Sequence, residues 1–212
     1  MIKKLIALIG GLVLALSASM TQATLIDNGN GLIYDDVLDV TWLQNANLGA
    51  GSSYDDGSNS TDGLMTWGNA VAWAAALVFG DASDWRLPTA LNSDGSGPCD
   101  GFNCTDSEMG HMFYNNLGGT QSISETGNHT IGGVDLFDIK FRYWSPEEEF
   151  VSGIDTGWTF AFSTGRQFRT DKTIFSAAWA VHDGEVTVPE PTTLALMSLG
   201  LAGIGWKRRK AA

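Results

Sequence analysis

Seven tryptophans (Trp42, Trp67, Trp73, Trp85, Trp144, Trp158 and Trp179) fall in a stretch that holds 23 of the chain's 24 acids but only six of its twelve Lys and Arg. A segment with a net charge of −17 over 165 residues, 24 to 188, has the charge of a solvated acidic spacer. Spacers of that kind are poor in large aromatics. The tryptophans, set among alternating apolar stretches, exclude a spacer and demand a packed core. The same charge excludes nucleic acid and anionic lipid as partners, because the field of such a body repels both.

The body is bounded at 24 and 188 because each end reads as something else. Lys3 and Lys4 precede an apolar run from Leu5 to Leu16, and small residues continue to Ala23. That order predicts a secretory signal peptide over residues 1–23, with an apolar run too short for a membrane anchor. At the other end Pro189, Glu190 and Pro191 stand before fifteen weakly apolar residues, Thr192 to Trp206. Lys207, Arg208, Arg209 and Lys210 follow. Fifteen residues fall short of the roughly 20 that span the hydrocarbon core, and the cations resist translocation. This three-part order, residues 189–212, resembles the PEP-CTERM sorting signal of Gram-negative bacteria. The resemblance implies recognition by an exosortase-type processing enzyme and transient inner-membrane contact through the tail. It further implies removal of the tail and delivery to the cell surface or extracellular matrix.

Within the body, "TLIDNGNGLIYDDVLDVTWLQ" reads as short strands broken by an Asn-Gly-Asn-Gly turn near residue 30. "MTWGNAVAWAAALVF" predicts a helix with Trp67, Ala70, Val71, Ala74, Leu77 and Val78 on one stripe and Thr66 as N-cap. "TDSEMGHMFYNNLGG" predicts a second helix opened by a Thr105–Glu108 capping box, with Met109, Met112, Phe113 and Leu117 as its apolar face. From Ile139 onward the pattern becomes strands. The expectation is an α+β domain, two helices packed on short antiparallel sheets, whose N- and C-terminal strands meet. Two polar loops, residues 49–63 and 92–106, interrupt it.

The stretch "MTWGNAVAWAAALVFGDASDWRLPT", with "GLIYDDVLDVTWLQNAN", "YWSPEE" and "AWAVHDG", resembles the Lcl C-terminal domain family, DUF1566. That resemblance implies a C-type-lectin-like fold with long loops and, since some members bind glycosaminoglycans, a noncatalytic binding role. "WRLPT" also echoes the sulfatase-modifying group, whose enzymes use reactive cysteines late in the domain. This chain has no cysteine after Cys104, so that activity does not transfer. His182 stands where the closing strand of the family more often carries Arg.

The residues able to do chemistry are few. Cys99 and Cys104 are the only cysteines, and in an oxidising compartment they predict a local disulfide. His111 reads as a partly exposed helix residue, His129 as a loop residue and His182 as a strand end. No nucleophile elbow, zinc helix or phosphate loop occurs. Asp55, Asp56 and Asp62, with Asp94 and Asp100, put hard oxygen ligands on Gly-rich loops, so Ca²⁺ is the one cofactor they could take, although neither loop has EF-hand spacing. Glu147, Glu148 and Glu149 follow Trp144 where ligand loops occur in lectin-like folds. In "DWRLPT", comprising Asp84, Trp85, Arg86, Leu87, Pro88 and Thr89, Arg86 lies close to the core and calls for a distant acid or carbonyl cluster. These residues read as structural rather than ligand-binding.

Two functions follow. The first is a noncatalytic surface or matrix module that binds extracellular polysaccharide or another matrix component. It requires Arg142, Arg166, Arg169 and Lys172 to cluster, or Ca²⁺ to bridge, if the polysaccharide is acidic. The second is a surface enzyme acting on matrix glycans through paired carboxylates.

Overall fold

Strands β1 (Leu25–Gly29) and β2 (Leu32–Asp35) form the hairpin that the Asn-Gly-Asn-Gly run predicts. Asn30 and Gly31 at its tip both take positive φ, 53° and 86°, a conformation that Asn and Gly adopt most readily. The computed structural model describes residues 24–187; the predicted signal peptide 1–23 and the sorting segment 189–212 lie outside the described residues. β3 (Val40–Leu43) pairs with β2 on one edge and with β12 (Val181–Asp183) on the other. The first and last strands of the body therefore share one four-stranded sheet, in the order β1-β2-β3-β12.

A six-stranded sheet holds most of the remainder. Its members are β4 (Leu64–Met65), β5 (Gly101–Phe102), β8 (Tyr143–Val151), β9 (Ile154–Ala161), β10 (Arg166–Asp171) and β11 (Ser176–Ala177). They lie in the order β4-β11-β8-β9-β10-β5, antiparallel except for the β11–β8 pair. A separate hairpin, β6 (Gly127–Ile131) and β7 (Val134–Ile139), turns through Gly132 and Gly133. Helix α1 (Trp67–Ala76) and the single turn α2 (Glu108–His111), continued by a π-helical turn over Met112–Asn116, are the helical segments among the described residues.

This architecture corrects the α+β, lectin-like expectation of two helices packed on short sheets. Strand makes up 37 % and helix 12 %, so the protein is mostly β, with three sheets and two short helices. α1 stops early because Leu77 turns to an extended conformation, with ψ 132°. Val78 therefore leaves the predicted stripe and is 72 % exposed, while Trp73 takes a buried place beside Ala70 and Ala74. At the start of α1, Thr66 makes no side-chain cap; its amide and hydroxyl both donate to Asp56. The N-cap of α2 is Ser107, whose hydroxyl accepts from the Gly110 amide, and not Thr105. Glu108 is thereby released from any capping box and serves elsewhere.

The tryptophans build the core that the composition demands. Trp42, Trp73, Trp85, Trp144, Trp158 and Trp179 are all buried. Burying a side chain of this size and giving its indole N–H an acceptor stabilises both packing and orientation. Trp144 donates to the Met65 carbonyl at 2.8 Å, Trp179 to Leu43 at 2.8 Å and Trp85 to Ala82 at 3.2 Å. Trp67 is half-buried and crosses from α1 to the six-stranded sheet, donating to the Ser145 carbonyl. It comes so close to β9 that a Cβ on Gly157 would lie 2.5 Å from its ring, so only glycine fits there.

Candidate functional site

"DWRLPT" enters after a tight turn in which Gly80, Asp81 and Asp84 take positive φ. Arg86 then exchanges two backbone hydrogen bonds with Val181 of β12, each 2.9 Å, which adds one bridge to the edge of the four-stranded sheet. Pro88 has no amide to continue the pairing, and the chain leaves the sheet. Trp85 and Leu87 are buried, Trp85 against Phe79 and His182.

Arg86 is the hub of the polar network here. Its Nη1 and Nη2 donate to the two carboxylate oxygens of Glu108 at 2.8 and 2.7 Å, a bidentate fork. Nε and Nη2 reach Asp183 at 3.0 and 2.5 Å, and Nη1 reaches the Leu87 carbonyl at 3.2 Å. Burial alone would lower the Arg86 pKa; the hydrogen bonds and charge of Glu108, then of Asp183, outweigh it and raise the pKa. Glu108 is well buried and Asp183 largely exposed, so the Glu108 arm carries most of the energy.

Glu108 also accepts from the Thr89 amide at 2.8 Å. Thr89 in turn donates its hydroxyl to Glu147, whose other oxygen takes the Ala90 amide at 2.8 Å. Glu147 reaches this loop because β8 bulges. Between the pairs Trp144–Thr159 and Glu148–Gly157, three residues of β8 face one of β9, and a bulge re-aims the side chains within it. The role of Glu147 was hidden in sequence, although the Pro146 beside it was a bulge signal.

Beside this network lies a surface cleft of about 380 Å³, lined among others by Val37, Leu38, Leu91, Asn92, Asp106 and Glu108. One wall is braced by Asp35, which is wholly buried. It accepts the amides of Val37 and Leu38, both at 3.1 Å, and the Asn116 side chain at 2.8 Å. His111 is buried as well, which corrects its reading as a partly exposed residue. The π-helical turn that follows rolls its ring inward, with Nδ1 2.8 Å from Asn115 and Nε2 3.9 Å from Asp35. Cys99 and Cys104 form a disulfide that closes the loop between them. Gln167 pins the same loop by donating to the Ala90 and Cys99 carbonyls at 2.9 and 2.8 Å.

The five aspartates of the polar loops do not converge. Asp55 is buried and accepts from the Gly51 and Gly63 amides, each at 2.9 Å. Asp56 holds Thr66, Asp62 takes the Leu64 amide at 2.9 Å, and Asp94 takes the Ser96 amide at 2.9 Å. Asp100 pairs with Arg169 at 3.2 Å. Among the described residues, no group of three or more His, Cys, Asp or Glu is arranged to hold a metal ion. The three consecutive glutamates are likewise engaged, Glu148 with Lys172, Glu149 with Arg169 at 2.8 Å and Glu147 with the Thr89–Ala90 turn.

The chain matches the PEP-CTERM protein-sorting motif over residues 187–210. It carries an exosortase sorting signal. The motif marks an exported protein, recognised by an exosortase and directed to the cell surface. The match covers the tail alone and lends nothing to the Lcl C-terminal resemblance of the body. No curated protein and no solved structure matches the chain. Among the described residues, no helix is long and apolar enough to cross a membrane.

Arg86→Ala leaves Glu108 buried without its cation, which costs about 3 kcal/mol, the low end for a broken buried pair because the arginine is one-third exposed. Arg86→Lys recovers part of that loss, since an ammonium cannot form the planar fork. Denaturant unfolding of the three proteins measures both differences.

Proposed function

We propose that residues 24–187 form a noncatalytic module that binds extracellular polysaccharide at the surface to which its tail is sorted. The observation that carries this reading is that, of the two acids lining the cleft, Asp106 and Glu108, Glu108 is locked on donors, which leaves no pair of free carboxyls there. Glycoside hydrolysis needs one carboxyl free to protonate the leaving group and a second to act as nucleophile or base. Both oxygens of Glu108 are held by Arg86, and both of Glu147 by Thr89 and Ala90. Carboxylates locked on donors in this way shape a cleft and take no part in proton transfer. The walls are fixed by a disulfide, by buried Asp35 and by Gln167, which limits the ordering cost of binding. The "DWRLPT" resemblance to Lcl-type binding domains supports the same role.

A glycan array probed with the exported protein, with and without Ca²⁺, tests this. Binding to a polysaccharide is expected, without release of new reducing ends. Ser93→Trp, which fills the cleft from an exposed position, is expected to abolish binding at an unchanged melting temperature. Release of reducing ends that Glu147→Gln abolishes would establish the enzyme instead.

The sorting segment adds a second expectation, that the tail is removed. Intact-mass measurement of surface material should give a chain ending near Pro189 to Pro191. Surface protein that still carries Trp206 and the basic cluster would show the tail to be retained.

A further inference from the structure

The body has six cations, and four of them are bound to carboxylates: Arg86, Lys140, Arg169 and Lys172. Among the described residues Arg142 and Arg166 have no carboxylate partner, although acids outnumber cations in the body almost four to one. The sheet register brings these two together. Ala177 of β11, Tyr143 of β8 and Phe160 of β9 form one row. One step along, Ser176, Arg142 and Ala161 line up, and Ala161 pairs on its far side with Arg166, which pairs with Phe102. Paired residues share a face of the sheet, so Arg142 and Arg166 flank Ala161 on one face, two strand spacings or about 10 Å apart at their Cα atoms.

Arg142 is half-buried and held rigidly. Its Nε donates to the Ser176 hydroxyl at 2.8 Å and Nη2 to the Phe175 carbonyl at 2.9 Å, which leaves Nη1 without a protein acceptor. Burial lowers its pKa, and no acid offsets the effect. A desolvated cation without a counter-ion is unfavourable unless an anion reaches it. Arg166 lies over the Phe168 ring at 5.3 Å, and partly exposed Phe102 follows it at the end of the row. Two guanidinium groups set across one small residue, with the Phe102 ring beside them, match a sugar that carries an anionic substituent.

We propose that Arg142 and Arg166 form a subsite for a carboxylate-bearing pyranose, a uronate unit of an acidic polysaccharide. The inference rests on the glycan-binding reading above and adds to it the charge of the ligand. A net charge of −17 works against any polyanion, so the two guanidinium groups must outweigh that field locally. A singly charged carboxylate meets less of that repulsion than a dianionic phosphate, and it matches the fork of a guanidinium.

The test is titration calorimetry of the exported protein with hexagalacturonate and with neutral maltohexaose. The expected result is preferential binding of hexagalacturonate, reduced about tenfold by Arg166→Gln and by Arg142→Gln, the worth of one charge-assisted hydrogen bond. The Arg166 side chain is exposed and makes no hydrogen bond to the described residues, so its variant keeps the strand pairing and isolates the effect even if Arg142→Gln is destabilised. Equal affinity for the two oligomers, or a preference that survives both substitutions, overturns the subsite and leaves the glycan-binding reading standing. Binding of neither oligomer, together with a blank glycan array, overturns both.

Discussion

The Arg86–Glu108 fork joins two parts of the chain that no continuous strand or helix connects. Arg86 sits on the segment that bridges to β12, Glu108 opens α2, and Thr89 hangs from the same carboxylate. β12 pairs with β3, so one guanidinium also ties the cleft to the sheet that closes the body end to end. A pair this well buried gives little net stability over an apolar replacement, but losing one partner is costly. Its contribution is therefore registration: it fixes where α2 and the Thr89–Ala90 turn sit relative to the sheets. Glu108 itself lines the cleft, together with Leu38 and Leu91, so the fork sits at its wall.

Electrostatics in this body follow one pattern. The acids that looked available for metal or catalysis are engaged locally, on turn amides (Asp55, Asp62, Asp94) or on cations (Glu148, Glu149, Asp100). The remaining negative charge is solvated and keeps the exported protein soluble. Against that background, two arginines without acids on one sheet face are a local reversal of sign. The aromatic weight serves the core, since six of the seven tryptophans of the body are buried. The rings left partly exposed include the phenylalanines Phe102 and Phe175.

Part of this was legible in the residues. The hairpin at residue 30 follows from turn chemistry, the disulfide from the only cysteine pair, and the meeting of the terminal strands from the strand patterns read at both ends of the body. The balance of helix and strand was not. "WAAALVF" stays apolar past the point where α1 ends, because Leu77 and Phe79 pack from an extended segment and not from a helix face. The hairpin of β6 and β7 was passed over because its residues alternate between polar and apolar, so only half of them mark a core. Its Gly132-Gly133 turn was the available signal. The burial of His111 depends on a π-helical turn, which leaves no trace in a 3.6-residue periodicity. The pairings of Arg86 with Glu108 and of Glu147 with Ala90 span 22 and 57 residues, and such contacts exist only once the sheets are assembled.

A double-mutant cycle on Arg86 and Glu108, read by denaturant unfolding, tests most directly whether the fork registers the fold. Arg86→Met and Glu108→Met should each destabilise the protein, and the double substitution should cost about 2 kcal/mol less than their sum, since neither charge is then left unpaired. Strict additivity of the two losses would show that the residues act independently and would contradict the account.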